Sequence, residues 1–298
     1  MEKNMVESDK ITGELTLAPV APEHAKELGR ICFEAFRSIH DKHAFDRDFP
    51  TLEAGEGVIN FLVSRDDFHG VAALIDGKPV GSNFISFTDP VAGVGPITVD
   101  PERHERGIGR ALMKAVIDAA HERGVEEIRL MQDSFNSRSL SLYASLGFDV
   151  REPVALVQAT PAEVVTDATV RLASTVDVAE MNELCLANYK VSRGNEIGNA
   201  IKYGFSPMIA ERRGRITGYL IPGFLGHGAA ETVDDAAALA AEAGKLPGNQ
   251  ARFFCPLREA DLYRRLLADR HRVMKIMNLM TLGPYEQPEG VWMPSVFY

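Results

Sequence analysis

The sequence predicts an α+β chain of two domains built on one plan. Strand-like and helix-like segments alternate from Leu15 onward. A hairpin is written at Asp76-Gly77, and the opening plan of the chain returns after Thr169. The length of 298 residues, with 45% hydrophobic and 25% charged side chains, is ordinary for globular protein and points to roughly two domains.

Residues 1–12 are polar and form a flexible N-terminus in this reading. The stretch LTLAPVAP reads as a strand, and Pro22 to Phe36 places Leu28, Ile31, Cys32, Ala35 and Phe36 at helical spacing. A histidine-rich polar passage, SIHDKHAFDRDFP, separates it from a second helix over Thr51 to Ser64. Then VAALI, Asp76-Gly77 and PVGSNFISF give strand, two-residue turn and strand. VGPITVD reads as another strand, and a helix from about Gly107 to Arg123 ends at Gly124. EEIRLMQ, SRSLSLYASLG and FDVREPVALVQ complete the unit as strand, helix and strand.

After Thr169 the segment ATVRLASTVDVAEMNELCLANYKVS repeats the strand–turn–helix opening. PMIAERRGRITGYLIPGF echoes the hairpin, with Arg213-Gly214 at its turn. The repeat implies an internal duplication with a boundary near residues 160–168, hence domains at 13–160 and 161–298.

Composition narrows the function. The chain holds 32 Lys and Arg against 42 Asp and Glu, a formal net charge of −10. That balance argues against nucleic acid and against an anionic membrane surface as partners. Cys32, Cys185 and Cys255 lie far apart in apolar contexts, with no zinc-type spacing. They read as inert core thiols in a reducing compartment. MEKNMVESDKITGE has no apolar core of a secretory signal, and no apolar run approaches the roughly 18–20 residues that span a bilayer. The expectation is a cytoplasmic protein, monomer or homodimer.

The most informative stretch runs from Val94 to Asp149. A strand leads into His104-Glu105-Arg106-Gly107-Ile108-Gly109-Arg110, which opens a helix with Ile108, Leu112, Met113, Val116, Ile117 and Ala120 on one face. A glycine-bearing helix start leaves backbone N–H groups pointing outward at the positive end of the dipole, a place for phosphate. A Walker A loop needs Lys-Ser/Thr, which is missing, and Leu112 stands where the dinucleotide fingerprint needs its third glycine.

The passage VDPERHERGIGRALMKAVIDAAHERG followed by FNSRSLSLYASLGFDV resembles the core of the GCN5-related N-acetyltransferases, the GNAT superfamily. The phosphate loop Q/R-x-x-G-x-G/A is matched by His104 to Gly109, with His104 a departure from Gln or Arg. The second motif is matched by Asn136, Tyr143 and Leu146-Gly147-Phe148. The resemblance covers about residues 15–155 and implies a tandem arrangement. Each GNAT-like domain would be a mixed, mostly antiparallel twisted sheet flanked by helices.

It also implies acetyl-CoA as co-substrate, held where two parallel strands splay. Ile97, Thr98 and Val99 would pair with the pantetheine arm. His104, Glu105, Arg106, Gly107, Ile108, Gly109 and Arg110 would hold the pyrophosphate, and Asn136 and Ser139 would contact the arm. Tyr143 would stand beside the sulfur as general acid, because a thiolate leaving group gains from a proton donor. The implied reaction moves acetyl to an amine of a small molecule, with no metal; an acyl-CoA-binding sensor on the same fold is the alternative.

The general base is not written in a motif. The passage His40 to Asp48 falls where the family covers its acceptor, so His40 and His43 are candidate substrate contacts; two histidines three apart make too short a set for a metal. In the second domain the phosphate loop is missing, and Glu231, Asp234 and Asp235 crowd the matching helix start. It reads as a degenerate copy, and the closing GVWMPSVFY reads as a docked tail.

Overall fold

The computed structural model describes residues 13–103 and 107–298. The first half runs β1 (Leu15–Pro19), α1 (Ala25–His43), α2 (Leu52–Val63), β2 (Phe68–Ile75), β3 (Lys78–Ser86), β4 (Ala92–Val94), β5 (Thr98–Val99), α3 (Ile108–Glu122), β6 (Ile128–Asp133), α4 (Ser137–Ala144) and β7 (Asp149–Gln158). The second runs β8 (Thr169–Leu172), α5 (Val178–Tyr189), α6 (Gly194–Lys202), β9 (Met208–Arg212), β10 (Arg215–Leu220), β11 (Gly228–Ala230), α7 (Val233–Ala243), β12 (Arg252–Pro256), α8 (Ala260–Ala268), β13 (Arg272–Leu282) and β14 (Val291–Met293). Apart from β5 in the first half and β14 in the second, the same order of elements is laid down twice.

Both hairpins form as the turn residues require. Asp76 and Gly77 have φ of 50° and 74°, and Arg213 and Gly214 have 53° and 76°, so each turn carries two consecutive left-handed residues matched to the strand twist. Two segments differ from the sequence expectation. α1 continues through the polar passage to His43 and stops at left-handed Ala44, because His40 buries its ring beside Phe36 and Phe135. The strand expected over VGPITVD is broken at Gly95-Pro96 into β4 and β5, Pro96 having no N–H for a ladder.

The strands form two sheets. The larger runs β1-β2-β3-β4-β6-β13-β7-β12, with β5 beside β3. The smaller is antiparallel, in the order β14-β11-β10-β9-β8. By position in its half, β13 is the counterpart of β7, and β12 of β6. Each long closing strand therefore pairs with strands of the other half within the larger sheet: β13 lies between β6 and β7, and β7 lies between β13 and β12. The halves are interlocked through backbone hydrogen bonds.

Side chains reinforce this joint. Val154, Leu156, Met277 and Leu279 share a core with Tyr189, Ile197, Tyr219 and Trp292 of the second half. The docked tail crosses back to the first half. A Cβ at Gly93 of β4 would lie 2.4 Å from Phe297 Cβ, so only glycine permits that approach. Arg129 of β6 faces the rings of Tyr285 and Tyr298 at 5.0 and 4.9 Å. No helix among the described residues is long and apolar enough to cross a membrane.

Residues 1–160 expressed alone would expose the facing edges of β6 and β7. We expect that fragment to aggregate or self-associate on size-exclusion chromatography, and coexpression with residues 161–298 to restore a soluble one-to-one complex.

Candidate active site

β4 and β6 are the parallel pair of the larger sheet, and they stay together only briefly. Ala92 pairs with Ile128 and Gly93 with Arg129, after which the strands part. Beyond that point β5 pairs with β3, and Leu130 to Asp133 pair on one side with β13. The edges of β5 and of the outer part of β6 that face each other carry no strand partner among the described residues. The result is a V-shaped opening.

α3 begins at the mouth of this opening. Gly107 caps it in the left-handed conformation, φ 71°, with no side-chain cap. A Cβ at Gly107 would meet nothing within 4 Å, and one at Gly109 only Leu142 Cδ2 at 3.5 Å. The first turn carries no acidic residue. Among the described residues Ala111 N is the first to bond back, to Gly107 O at 3.0 Å. The N–H groups of Ile108, Gly109 and Arg110 thus face outward at the positive end of the dipole.

The structure brings Ile97, Thr98 and Val99 to one side of the opening and Gly107, Ile108, Gly109 and Arg110 to its mouth. Arg110 Nη2 donates to Ser145 Oγ, at the C-terminal cap of α4, at 2.6 Å. His104, Glu105 and Arg106 lie outside the described residues. Asn136 caps α4, its Oδ1 accepting from Ser139 N at 3.2 Å. Gln132 Nε2 donates to Asn136 O at 2.8 Å and to Ser139 Oγ at 3.0 Å. Tyr143 is buried among Leu130, Ile108, Val94 and Phe148. Burial, reinforced by the Asp133 charge, raises its phenol far above the usual range, so it is held protonated.

The second half treats the corresponding places differently. β14 lies against both β11 and β12, pairing Trp292 with Ala229 and Met293 with Gly228. Asn188 Nδ2 donates to Val291 O at 2.9 Å and to Ala230 O at 3.3 Å, locking the strand in place. The start of α7 is also spoken for. Thr232 Oγ1 accepts from Asp235 N at 3.1 Å, and buried Asp235 accepts from Arg212 Nε at 2.7 Å. Glu231 pairs with Arg215, and Asp234 with Arg265.

On the α1 side of the first-half opening stands a cluster that sequence patterning left unassembled. His40 donates from Nδ1 to Phe36 O at 2.8 Å, which turns Nε2 toward Asp48 Oδ2 at 3.4 Å and Asp133 Oδ2 at 3.9 Å. Lys275 Nζ, from β13, lies 2.7 Å from a carboxylate oxygen of each aspartate and 3.3 Å from His40 Nε2. Its side chain is 2% exposed. His40, Asp48 and Asp133 converge as metal ligands do, but the ammonium already occupies the space between the two carboxylates. His43, by contrast, is exposed, its ring tilted 40° to that of Phe135 with centroids 5.4 Å apart.

The four groups set one another's protonation. At His40 burial favours the neutral ring, yet the Asp48 bond and charge outweigh it and raise the pKa. At Asp48 burial is likewise outweighed, here by His40 and Lys275, and the carboxyl sits below its usual range. At Asp133 burial prevails over the Lys275 charge, with Asp48 adding repulsion, and the carboxyl sits above its usual range. His40 and Asp48 lie in the titratable run visible in the sequence, and Asp133 ends a legible strand. Lys275, in a strand that also carries Arg272, Asn278 and Thr281, stands 142 residues beyond Asp133 and gave no pairing signal.

Residues 27–148 match the model of the acetyltransferase (GNAT) family. An uncharacterized N-acetyltransferase of Methanocaldococcus jannaschii is 29% identical over 146 residues, covering 47% of this chain and 62% of that one, less than two thirds of its length. A ribosomal protein bS18-alanine N-acetyltransferase of Escherichia coli is 42% identical over 109 residues, 36% of this chain and 67% of that one. Among solved structures, one described as a putative acetyltransferase from Pyrococcus horikoshii superposes with TM-score 0.76 at 15% identity, covering 98% of this chain and 97% of that one. At that identity the likeness is one of fold, and it extends over both halves.

Replacing Lys275 by Met leaves two nearly buried carboxylates with only His40 between them. We expect a loss of about 3–5 kcal/mol at pH 7 in urea titrations. The variant's aspartate pKa values would lie above those of its unfolded chain, so the deficit should shrink as pH falls through them.

Proposed function

The chain belongs to the acetyltransferase (GNAT) family, and from that premise we propose that it transfers acetyl from acetyl-CoA to an amine of a small molecule. The observation that carries this reading is the contrast between the two openings. Among the described residues the first is unfilled and bordered by a helix start with no side-chain cap; the second is filled by β14 and capped by Thr232. In this reading residues 13–160 form the catalytic unit, and 161–298 a supporting copy without turnover.

The chain's groups fit the co-substrate. Gly107 and Gly109 leave a cradle clear of side chains. The N–H groups of Ile108, Gly109 and Arg110 supply donors for a pyrophosphate. The free edge from Ile97 to Val99 can pair with an extended amide chain as an added strand does. Thr98 Oγ1, and Ser82 Oγ on its register partner in β3, are buried with no hydrogen-bond partner among the described residues. The thioester supplies an activated acetyl group. Tyr143 holds its proton in the core and acts as general acid toward the departing sulfur. A small acceptor is favoured because Lys275 and the α1–α2 connection, held through Asn249 Nδ2 to Asp48 O at 3.1 Å, enclose the cleft from the far side.

Calorimetric titration with acetyl-CoA tests this directly. We expect one site of micromolar affinity in the wild-type chain and none in a Gly107→Glu/Gly109→Glu variant. Absence of binding to the wild type would overturn the reading.

Tyr143→Phe separates a transferase from an acyl-CoA-binding sensor. With Tyr143 as general acid, kcat measured by thiol release should fall about 10²-fold or more, with acetyl-CoA affinity changed less than threefold. An unchanged kcat would remove Tyr143 from the mechanism.

A further inference from the structure

Asp133 stands where the chemistry of the opening and the interlock of the two halves meet. It ends β6 on the stretch whose outer edge has no strand partner among the described residues. Its charge adds to the burial that holds the Tyr143 phenol of α4 protonated. Of the four clustered groups, His40 is fully buried and tied to Phe36 O, which withholds it from any acceptor. Asp48 is engaged by both Lys275 and His40. Asp133 keeps one oxygen on Lys275 and the other 3.9 Å from His40, a looser engagement.

We propose that Asp133 is the proton acceptor for the attacking amine, and that Lys275, supplied by the other half of the chain, is the positioning residue that holds its carboxylate. The proposal rests on the acetyl-transfer reading above. The balance is simple. An ammonium acceptor gives one proton to the Asp133 carboxylate, and the freed nitrogen pair forms the N–C bond to the acetyl carbon. The C–S bond breaks with its electron pair on sulfur, and the sulfur takes the Tyr143 proton. The bonded nitrogen gives its surplus proton to the Tyr143 phenolate, the neutral amide and free CoA thiol leave, and the proton on Asp133 passes to solvent. The raised pKa of Asp133 suits this task, and the lowered one of Asp48 suits a fixed counter-charge. The charged groups facing Asp133 are Lys275 from β13, Asp48 from the α1–α2 connection and His40 from α1, with the Tyr143 phenol on α4 nearby.

The test uses two nucleophiles small enough to enter any open acceptor pocket: methylamine, protonated at pH 7, and hydroxylamine, neutral there. Thiol release from acetyl-CoA is followed for wild type and Asp133→Asn, with calorimetry on the same preparations. The expected result is a loss of about 10²-fold with methylamine, less than threefold with hydroxylamine, and unchanged acetyl-CoA affinity. Equal loss with both nucleophiles in a variant that still binds acetyl-CoA would overturn the proposal, as would no loss with either. Failure of the wild type to bind acetyl-CoA would instead overturn the underlying reading. Lys275→Met supplies a second measure should Asp133→Asn not fold. Removing the positive neighbour should move the acidic limb of the methylamine rate profile to higher pH, and an unmoved limb would overturn the positioning role.

Discussion

Backbone pairing of β13 with β6 on one side and β7 on the other is the constraint on which the remaining structure hangs. A strand pair forms only when both partners are in register, so neither half can set its central sheet alone. The register carries detail to the site. Asn278 of β13 lies opposite Gln132 of β6, and Asn278 Nδ2 donates to Gln132 Oε1 at 2.9 Å. The amide of Gln132 then holds Asn136 O and Ser139 Oγ, and with them the start of α4, which carries Tyr143. A residue near the end of the chain thereby orients a helix of the first half, through three side chains and one strand pair.

The duplicated plan has become asymmetric by filling one opening and leaving the other. In both halves a strand edge lies beside a helix start, and both are unsatisfied unless something binds there. The second half answers with its own atoms: β14 on the strand edge, Asp235 and Thr232 at the helix start. Among the described residues the first half supplies neither, and Gly107 and Gly109 keep side chains away. Unmet backbone hydrogen-bonding capacity costs free energy when water is excluded, so the open site is where an extended polar ligand gains most.

Much of this was legible because it is local. The turns Asp76-Gly77 and Arg213-Gly214, the apolar face from Ile108 to Ala120, the glycine start of α3 and the return of the plan after Thr169 follow from neighbours a few residues apart. What could not be read is what distant strands do to one another. The pattern of β13, RVMKIMNLMTL, marks a strand but not its partners, and β7 looks the same whether it pairs within its half or across. The same limit hid the reach of α1: the segment from Arg37 to His43 is polar by composition. It becomes helical because Phe135, almost a hundred residues on, shelters His40. The four-residue cluster is non-local twice over, drawing on α1, its following connection, β6 and β13.

That cluster is a poor bargain for stability taken alone. Burying two carboxylates, an ammonium and an imidazole costs several kcal/mol per charge before their attraction is counted, and apolar residues of the same volume often do as well. Three features compensate here. The ammonium touches both carboxylates at 2.7 Å, His40 is anchored by a backbone carbonyl, and Phe135 covers the group, its ring centroid 5.5 Å from that of His40. The arrangement also divides two aspartates that share one cation into a strong acid and a weaker one, because Asp48 receives both His40 and Lys275 while burial dominates at Asp133. An apolar replacement could fill the space but could not create that difference. Since Lys275 reaches the site only by way of the exchanged strand, the interlock of the halves and the unequal acidities of the two aspartates arise from one feature of the fold.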